Sequence, residues 1–156
     1  MLSRFFKKQV NNNSNSSEET NLSRFEEEHD ELIETYHRIT ELAKNLEIDS
    51  LKKELVEFKD TLITHIKNEA GEVYTFLDSV LHPEKDKSLL NEIYQIKRDV
   101  VPLRNKVNIL TQKYNNITKN DIHDFLSDFQ YIGKLLHERI EIEENKLFKY
   151  YLLKKR

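Results

Sequence analysis

Two pairs of polar residues have the spacing and the side-chain types that metal binding or a buried ion pair requires. His65 and Glu69 are four residues apart, and Arg139 and Glu143 repeat that spacing later in the chain. Residues four apart lie on one face of an α-helix, so each pair directs both of its polar groups toward the same neighbours. In an earlier segment, His29 stands among apolar residues of helical spacing. We therefore predict one interior polar cluster made of these five residues.

Three interpretations of this cluster are open from the sequence. Imidazole and carboxylate groups are ligands of transition metals, so the cluster would be able to hold an ion. Alternatively, Arg139 within reach of Glu69 and Glu143 would balance their charge in a dry interior, because an unpaired buried charge costs several kcal/mol. A rotation of the helices would instead leave these side chains half-exposed and solvated. The ion-pair interpretation fits best, since an arginine does not deprotonate to bind a metal.

The segments around the two pairs resemble each other beyond the pairs themselves. Residues 65–74 and 139–148 each contain a nitrogen-bearing side chain, a carboxylate four residues later, and an apolar–aromatic step at the same offset. The aromatic residue of that step is Tyr74 in the first segment and Phe148 in the second. This likeness is either the remnant of a duplicated helix hairpin or a coincidence.

Histidine and glutamate side chains on facing helices build di-iron centres inside helix bundles, and the His-x-x-x-Glu spacing resembles the hemerythrin-like family. The resemblance rests on His29, His65, Glu69 and Glu143, and it implies that these residues bind iron. The chain departs from the family at Arg139, which stands where the family has a histidine. The predicted third helix contains no histidine, although the family takes a ligand from it. We therefore predict no cofactor, with iron held by the four residues as the alternative.

Other catalytic or redox chemistry finds no support in the sequence. The chain has no cysteine, which excludes disulfides, thiolate metal sites and cysteine nucleophiles. Its two glycines stand alone, so there is no phosphate-binding loop, and no serine–histidine–aspartate order is found. We predict that the protein is not an enzyme. The remaining histidines are expected on outer faces or in loops, where water solvates them: His37, His82, His123 and His137.

The composition predicts a protein made of long helices. Among 156 residues there are only two glycines and two prolines, too few for the turns of most β-architectures. Apolar residues recur at intervals of three and four in four segments, which begin near Ser23, Leu51, Leu90 and Phe125. Four amphipathic helices with short connections predict an all-α fold, an antiparallel up-and-down four-helix bundle.

Capping residues and prolines predict where the helices begin and end. Two capping boxes are expected to start the first and fourth helices, at Ser23–Glu26 and Thr118–Asp121. The second helix is expected to end near Pro83, which is suited to open the third because its missing N–H is not needed there. Pro102 lies inside the pattern of the third helix and is expected to kink it.

Residues 1–22 are predicted to form a flexible, disordered N-terminal tail before a bundle of residues 23–156. Residues 9–22 are mostly Asn, Ser, Glu and Thr, and they cannot bury enough apolar surface to offset their ordering entropy. The start of the chain lacks the apolar stretch of a signal peptide, and no apolar run approaches the ~20 residues of a membrane span. We expect a cytoplasmic protein that is a monomer or a weak dimer.

All four predicted helices also resemble the Rsd/AlgQ family of anti-sigma factors, which are four-helix bundles of similar length. The resemblance covers residues 24–148, and in that family an arginine is expected where hemerythrin-like proteins have a histidine. The matching residues are Arg24, Phe25, Leu32, Ile33 and Tyr36 in the first helix, Phe58, Glu72, Val73 and Tyr74 in the second, Pro102 and Tyr114 in the third, and Ile132, Gly133, Leu136, Arg139, Ile142, Glu143 and Glu144 in the fourth.

This resemblance implies a protein that binds the promoter-reading C-terminal region of the primary sigma factor and sequesters it from RNA polymerase. A region that reads DNA is positively charged, and the predicted first helix carries a dense group of acidic residues that would attract it. The net charge of −3 argues against direct binding of nucleic acid. We predict an anti-sigma factor, with a hemerythrin-like metal-binding or oxygen- or iron-sensing bundle as the alternative. The residues expected to contact the sigma factor are Arg24, Phe25, Glu27, Glu31, Tyr36, Phe58 and Tyr74.

Overall fold

The computed structural model describes residues 17–155, and their side chains from residue 21 onward. In this part of the chain there are helices and turns but no strand. The helices are α1 (Ser17–Lys44), α2 (Ile48–Glu69), α3 (Thr75–Val80), α4 (Lys87–Arg98), α5 (Val100–Lys113), α6 (Ile122–Ile142) and α7 (Phe148–Lys155), with π-helical turns at Ala70–Tyr74 and Glu143–Leu147 and a 3-10 turn at Lys119–Asp121.

These elements form the four long helices of a bundle. The first is α1, and the second runs from α2 through a π-helical turn into α3. The third joins α4 to α5, and the fourth runs from α6 through the other π-helical turn into α7. Each long helix packs against the next one in the chain, and the fourth packs against the first, as in an up-and-down bundle. The predicted all-α four-helix bundle is confirmed.

The interior of the bundle consists of two apolar clusters separated by a layer of polar side chains. The larger one, which we call the Phe58 cluster, lies toward the connection between α1 and α2. The smaller one, the Leu77 cluster, lies toward the start of α1 and the end of α7. Three of the long helices pass from one cluster to the other through the polar layer. Their flanking apolar residues are Phe25 and Leu32 in the first helix, Leu62 and Val73 in the second, and Leu136 and Leu147 in the fourth.

Pro102 accounts for a break in the third long helix. α4 ends at Arg98 and α5 begins at Val100, so the kink predicted at the proline is found at Asp99. Proline has no N–H to donate to the carbonyl of Arg98, and its ring clashes with that carbonyl. With the helix broken at Asp99, the carbonyl of Ile96 in the last turn of α4 is left to find a partner outside its own helix.

Two predicted helix starts are wrong. α1 already begins at Ser17, so Ser23 is an exposed residue inside the helix and does not cap it. Pro83 lies in a turn, and α4 begins four residues after it. The backbone N–H of His82 donates to the carboxylate of Asp86 at 2.7 Å. This hydrogen bond closes the turn and delays the helix until after Asp86.

The other predictions about the chain's organisation have different outcomes. The capping box at Thr118–Asp121 is present, and the Thr118 N–H donates to the Asp121 carboxylate at 2.9 Å. Residues 1–16 of the predicted tail lie outside the described residues, whereas residues 17–22 belong to α1. The division into tail and bundle stays a prediction. Within residues 17–155, no helix is long and apolar enough to cross a membrane.

Gly133 allows the first and fourth long helices to approach closely. A Cβ at this position would lie 2.2 Å from the ring of Tyr36, and that ring is itself stacked on Phe129 at 4.7 Å. We expect Gly133→Ala to lower the free energy of unfolding by about 1–3 kcal/mol, the usual cost of overpacking. Urea unfolding measures this change.

Gly71 provides the matched control, because it is helical and nothing lies within 4 Å of an added Cβ. Gly71→Ala is expected to leave stability unchanged or to raise it by up to about 1 kcal/mol. Equal effects of the two substitutions would contradict close packing at Gly133.

Candidate metal centre

Five buried polar side chains meet in the layer between the two apolar clusters. His29 comes from the first long helix, His65 and Glu69 from the second, and Arg139 and Glu143 from the fourth. Their exposed fractions lie between 1% and 7%. The layer is shielded from solvent by the clusters on both sides, and it consists of the five residues that the sequence singled out.

Both glutamates of this layer adjoin a π-helical turn. The first turn, Ala70–Tyr74, directly follows Glu69, and the second turn, Glu143–Leu147, begins at Glu143 itself. Such turns insert one extra residue into an α-helix and are frequent at functional sites. The likeness between residues 65–74 and 139–148 is thus also a likeness of backbone shape, which the sequence prediction did not foresee.

The two histidines and two glutamates direct their ligand atoms toward one another. The Nε2 atoms of His29 and His65 are 3.0 Å apart, and His29 Nε2 lies 2.8 Å from Oε1 of Glu143. His65 Nε2 lies 3.1 Å from Oε2 of Glu69. One ligand atom from each residue lies within 4.8 Å of the other three. Since metal–ligand distances are roughly 2.0–2.2 Å, small shifts would let one ion contact all four.

Each histidine is also held from its other side by a carboxylate. His29 Nδ1 donates to Oε2 of Glu144 at 2.6 Å, and His65 Nδ1 donates to Oε1 of Glu28 at 2.9 Å. The sequence prediction did not include these two glutamates in the cluster. Glu28 is one of the acidic residues that the first helix was expected to present to a basic partner, and its position one residue before His29 was the only available signal.

Aromatic rings close the side of the site that faces the Leu77 cluster. Phe148 stacks on the imidazole of His29 with ring centroids 5.8 Å apart, and Phe25 meets the imidazole of His65 edge-on at 5.7 Å. Both phenylalanines are at most 2% exposed. They fix the planes of the two imidazole rings and keep water from the ligand atoms.

Arg139 is bound on the far side of Glu143. Its Nε donates to Oε2 of Glu143 at 2.6 Å, and one terminal nitrogen donates to the Tyr74 hydroxyl at 2.8 Å. The other terminal nitrogen donates to the backbone carbonyl of Ile96, which is free of a helical donor because α4 ends at Arg98. The hydrogen bonds of the guanidinium thus go to Glu143 Oε2, Tyr74 and Ile96, and Oε1 of Glu143 remains in contact with the histidines.

The proton affinities of the cluster are shifted strongly. Burial opposes charge on His29, but hydrogen bonds to Glu143 and Glu144 outweigh it and raise the pKa to about 9. Burial also opposes charge on His65, but Glu143 and Glu69 raise its pKa to about 11. Burial and the charge of Glu143 raise the pKa of Glu69 to about 7, while His65 lowers it. Burial alone would raise the pKa of Glu143, yet the two histidines hold it well below its usual range.

The donor set fits a divalent transition metal. Glu69 Oε2 is buried and accepts no hydrogen bond, although His65 Nε2 lies near it. A buried carboxylate oxygen that accepts no well-aligned hydrogen bond has lone pairs to spare, and a bound cation would use them. Two imidazoles and two carboxylates are typical ligands of iron and zinc.

The residues predicted to contact a sigma factor do not share one surface. Three of them lie in the bundle interior rather than on its surface, and their contact with a partner stays a prediction: Phe25, Phe58 and Tyr74. The other four are at least partly exposed, and their role in binding a partner stays a prediction: Arg24, Glu27, Glu31 and Tyr36.

The remaining histidines lie outside the polar layer. His37, His82 and His123 are exposed. His137 is half-buried rather than solvated, since its Nδ1 donates to the backbone carbonyl of Gly133 at 2.7 Å. The histidines with inward-facing ligand atoms are therefore the two that the helical pattern had placed on the inner faces.

The chain belongs to the hemerythrin HHE cation binding domain family, whose model matches residues 20–151. The match spans all four long helices and every residue of the polar layer. No curated protein and no solved structure matches the chain. The predicted resemblance to hemerythrin-like proteins is thereby confirmed, whereas nothing supports the resemblance to the Rsd/AlgQ family.

The prediction that the protein takes no cofactor is wrong. It relied on Arg139, which cannot deprotonate to bind a metal, and on the absence of a histidine from the predicted third helix. Four ligand atoms nevertheless converge without any contribution from that position, and the family is a cation-binding one. The physical reason is that Arg139 turns away from the histidines toward Tyr74 and Ile96.

Proposed function

We propose that the protein binds one divalent transition-metal cation in the bundle interior, and that this cation is iron(II). The ligands are His29, His65, Glu69 and Glu143. The observation that carries the proposal is the convergence of four buried ligand atoms within 4.8 Å, one of which, Glu69 Oε2, accepts no hydrogen bond.

The environment of Glu143 supports a single cation rather than a pair. Its Oε1 faces the histidines, while its Oε2 accepts a hydrogen bond from Arg139 at 2.6 Å. The guanidinium is a permanent positive charge, and it stands where a second cation sharing this carboxylate would have to bind. Electrostatic repulsion and the loss of that hydrogen bond both disfavour a di-iron centre.

The surroundings of the ligands suit a metal that must be protected from solvent. Bound iron would supply a redox-active centre to an interior that otherwise holds only acid–base groups. Phe25 and Phe148 exclude water from the imidazoles, and Arg139 offsets the negative charge of Glu143. The more specific proposal is that the protein senses oxygen or iron, and this role requires the metal site.

Metal binding is expected to stabilise the folded protein. A cation at about 100 times its dissociation constant adds roughly 2.7 kcal/mol to the free energy of unfolding, which raises Tm by about 5–11 °C for a chain of this size. Calorimetry of chelator-treated protein, with iron(II) added without oxygen or with zinc, measures the shift.

The control separates the buried ligands from surface histidines. The double variant His29→Gln/His65→Gln is expected to lose the shift, whereas His82→Gln/His123→Gln should keep it, since both of those residues are exposed. No shift in the parent protein, or an equal shift in the double ligand variant, would rule out this site.

The primary sigma factor as a partner, and the absence of enzymatic activity, stay predictions. Glu27 and Glu31 are exposed on α1 and would attract a basic surface. A 1:1 complex with the C-terminal region of the sigma factor, weakened when both glutamates are changed to lysine, would support that partner. Failure to form the complex would remove it and leave the metal proposal untouched.

A further inference from the structure

We propose that Glu28 and Glu144 are positioning residues that determine which ring nitrogen of His65 and His29 the metal binds. The inference rests on the proposed function, because it concerns ligands of the same site. The four ligands proposed above do not include these two glutamates. They act on the metal only through the two imidazoles.

The hydrogen bonds to Nδ1 decide the orientation of both rings. An ionised carboxylate only accepts hydrogen bonds, so the Nδ1 atom that faces it must carry a proton. Glu144 therefore keeps the proton on Nδ1 of His29 at 2.6 Å, and Glu28 keeps it on Nδ1 of His65 at 2.9 Å. In a neutral imidazole the lone pair is then left on Nε2, and both Nε2 atoms face the centre of the cluster, 3.0 Å apart.

The two contacts also connect three of the four long helices. Glu28 lies on the first helix and holds a histidine of the second, whereas Glu144 lies on the fourth helix and holds the histidine of the first. Each positioning glutamate is the immediate neighbour of a proposed ligand in sequence, His29 in one case and Glu143 in the other. Adjacent helical residues point in directions about 100° apart. The ligand of each pair, His29 or Glu143, therefore faces the centre of the cluster, while the neighbouring glutamate contacts the outer nitrogen of an imidazole ring.

Both glutamates lie at the edge of the polar layer, nearer to the surface than the proposed ligands. Their side chains are 23% and 14% exposed, compared with 3% for Glu69 and Glu143. Arg24 Nε lies 3.8 Å from Glu28, and the same arginine contacts Glu72 on the second helix at 2.6 Å.

The test uses zinc as a diamagnetic probe in the full chain. Glu28→Ala and Glu144→Ala are each expected to weaken zinc binding by about 10–100-fold, the usual effect of losing a carboxylate behind a histidine ligand. Glu28→Gln and Glu144→Gln keep an acceptor atom and should lose less. The matched controls are Glu27→Ala and Glu141→Ala, exposed neighbours on the same two long helices, which should bind zinc like the parent.

A second readout separates positioning from a general effect of charge or stability. In ¹⁵N-labelled, zinc-loaded protein, both histidines should show zinc on Nε2 and a slowly exchanging proton on Nδ1. Glu28→Gln should perturb the Nδ1 proton of His65 and leave that of His29 unchanged, and Glu144→Gln should do the reverse.

The possible failures are distinguishable. If the parent protein takes up no zinc and no iron, the proposed function fails and this inference fails with it. If the parent binds zinc but both alanine variants bind equally tightly, or zinc is found on Nδ1, the positioning role is overturned and the metal site stands.

Discussion

Replacing Arg139 by methionine is expected to destabilise the metal-free protein by about 3–5 kcal/mol, the usual cost of removing one member of a buried ion pair. The guanidinium is only 7% exposed, and its loss leaves Glu143 without its 2.6 Å partner. The Tyr74 hydroxyl and the Ile96 carbonyl lose their donor as well. Urea unfolding of chelator-treated protein at neutral pH measures the change.

Two further variants test whether the loss of a buried charge partner causes the destabilisation expected for Arg139→Met. Arg98→Met removes an exposed arginine from the neighbouring third helix and should change stability by no more than about 0.5 kcal/mol. Combining Arg139→Met with Glu69→Gln and Glu143→Gln should restore most of the lost stability, because no uncompensated buried charge remains. An Arg139→Met protein as stable as the parent would show that this arginine does not carry the charge balance of the interior.

Replacing His65 by glutamine is expected to weaken metal binding by about 100-fold. Sites with four ligands bind structural zinc with about 10–16 kcal/mol, so one ligand contributes roughly 3 kcal/mol, which corresponds to that factor. His65 is central to the cluster, since its Nε2 lies 3.0 Å from His29 Nε2 and 3.1 Å from Glu69 Oε2. A competition titration against a chromophoric chelator measures the affinity.

His137→Gln is the matched control for this variant. His137 is half-buried and hydrogen-bonded to Gly133, so its replacement also perturbs a packed histidine, but one outside the cluster. It should leave metal affinity unchanged. Equal losses in the two variants would indicate that metal affinity reports general stability rather than ligation by His65.

The sequence predicts the bundle well because apolar residues recur at intervals of three and four, the period of an α-helix. A stripe such as Phe25, His29, Leu32 and Tyr36 fixes which face of α1 turns inward, whatever the partner helices are. The helix starts at Ser23 and Pro83 were mispredicted because capping signals are local. They do not reveal that α1 already begins at Ser17, or that another contact competes with a helix start at Pro83. At Pro83 the competing contact is the hydrogen bond between the His82 N–H and the Asp86 carboxylate.

The site was predicted in its residues but not in its chemistry. Residue type and a spacing of four were enough to select His65 and Glu69, but the direction of the Arg139 side chain depends on a tertiary contact. That contact is the Ile96 carbonyl, freed by a helix break in a different part of the chain. Glu28 was hidden for a similar reason, because an acidic residue on a half-exposed face looks like any solvated residue until the facing histidine is seen.

The number of metal ions per chain tests the central claim most directly. Protein purified without chelator, and the same protein reconstituted with iron(II) in the absence of oxygen, would be analysed for metal against a protein concentration from amino-acid analysis. We expect one ion per chain, held by His29, His65, Glu69 and Glu143, with Arg139 excluding a second. Two ions per chain would contradict the role of Arg139, and no retained or reconstituted metal would contradict the metal centre itself.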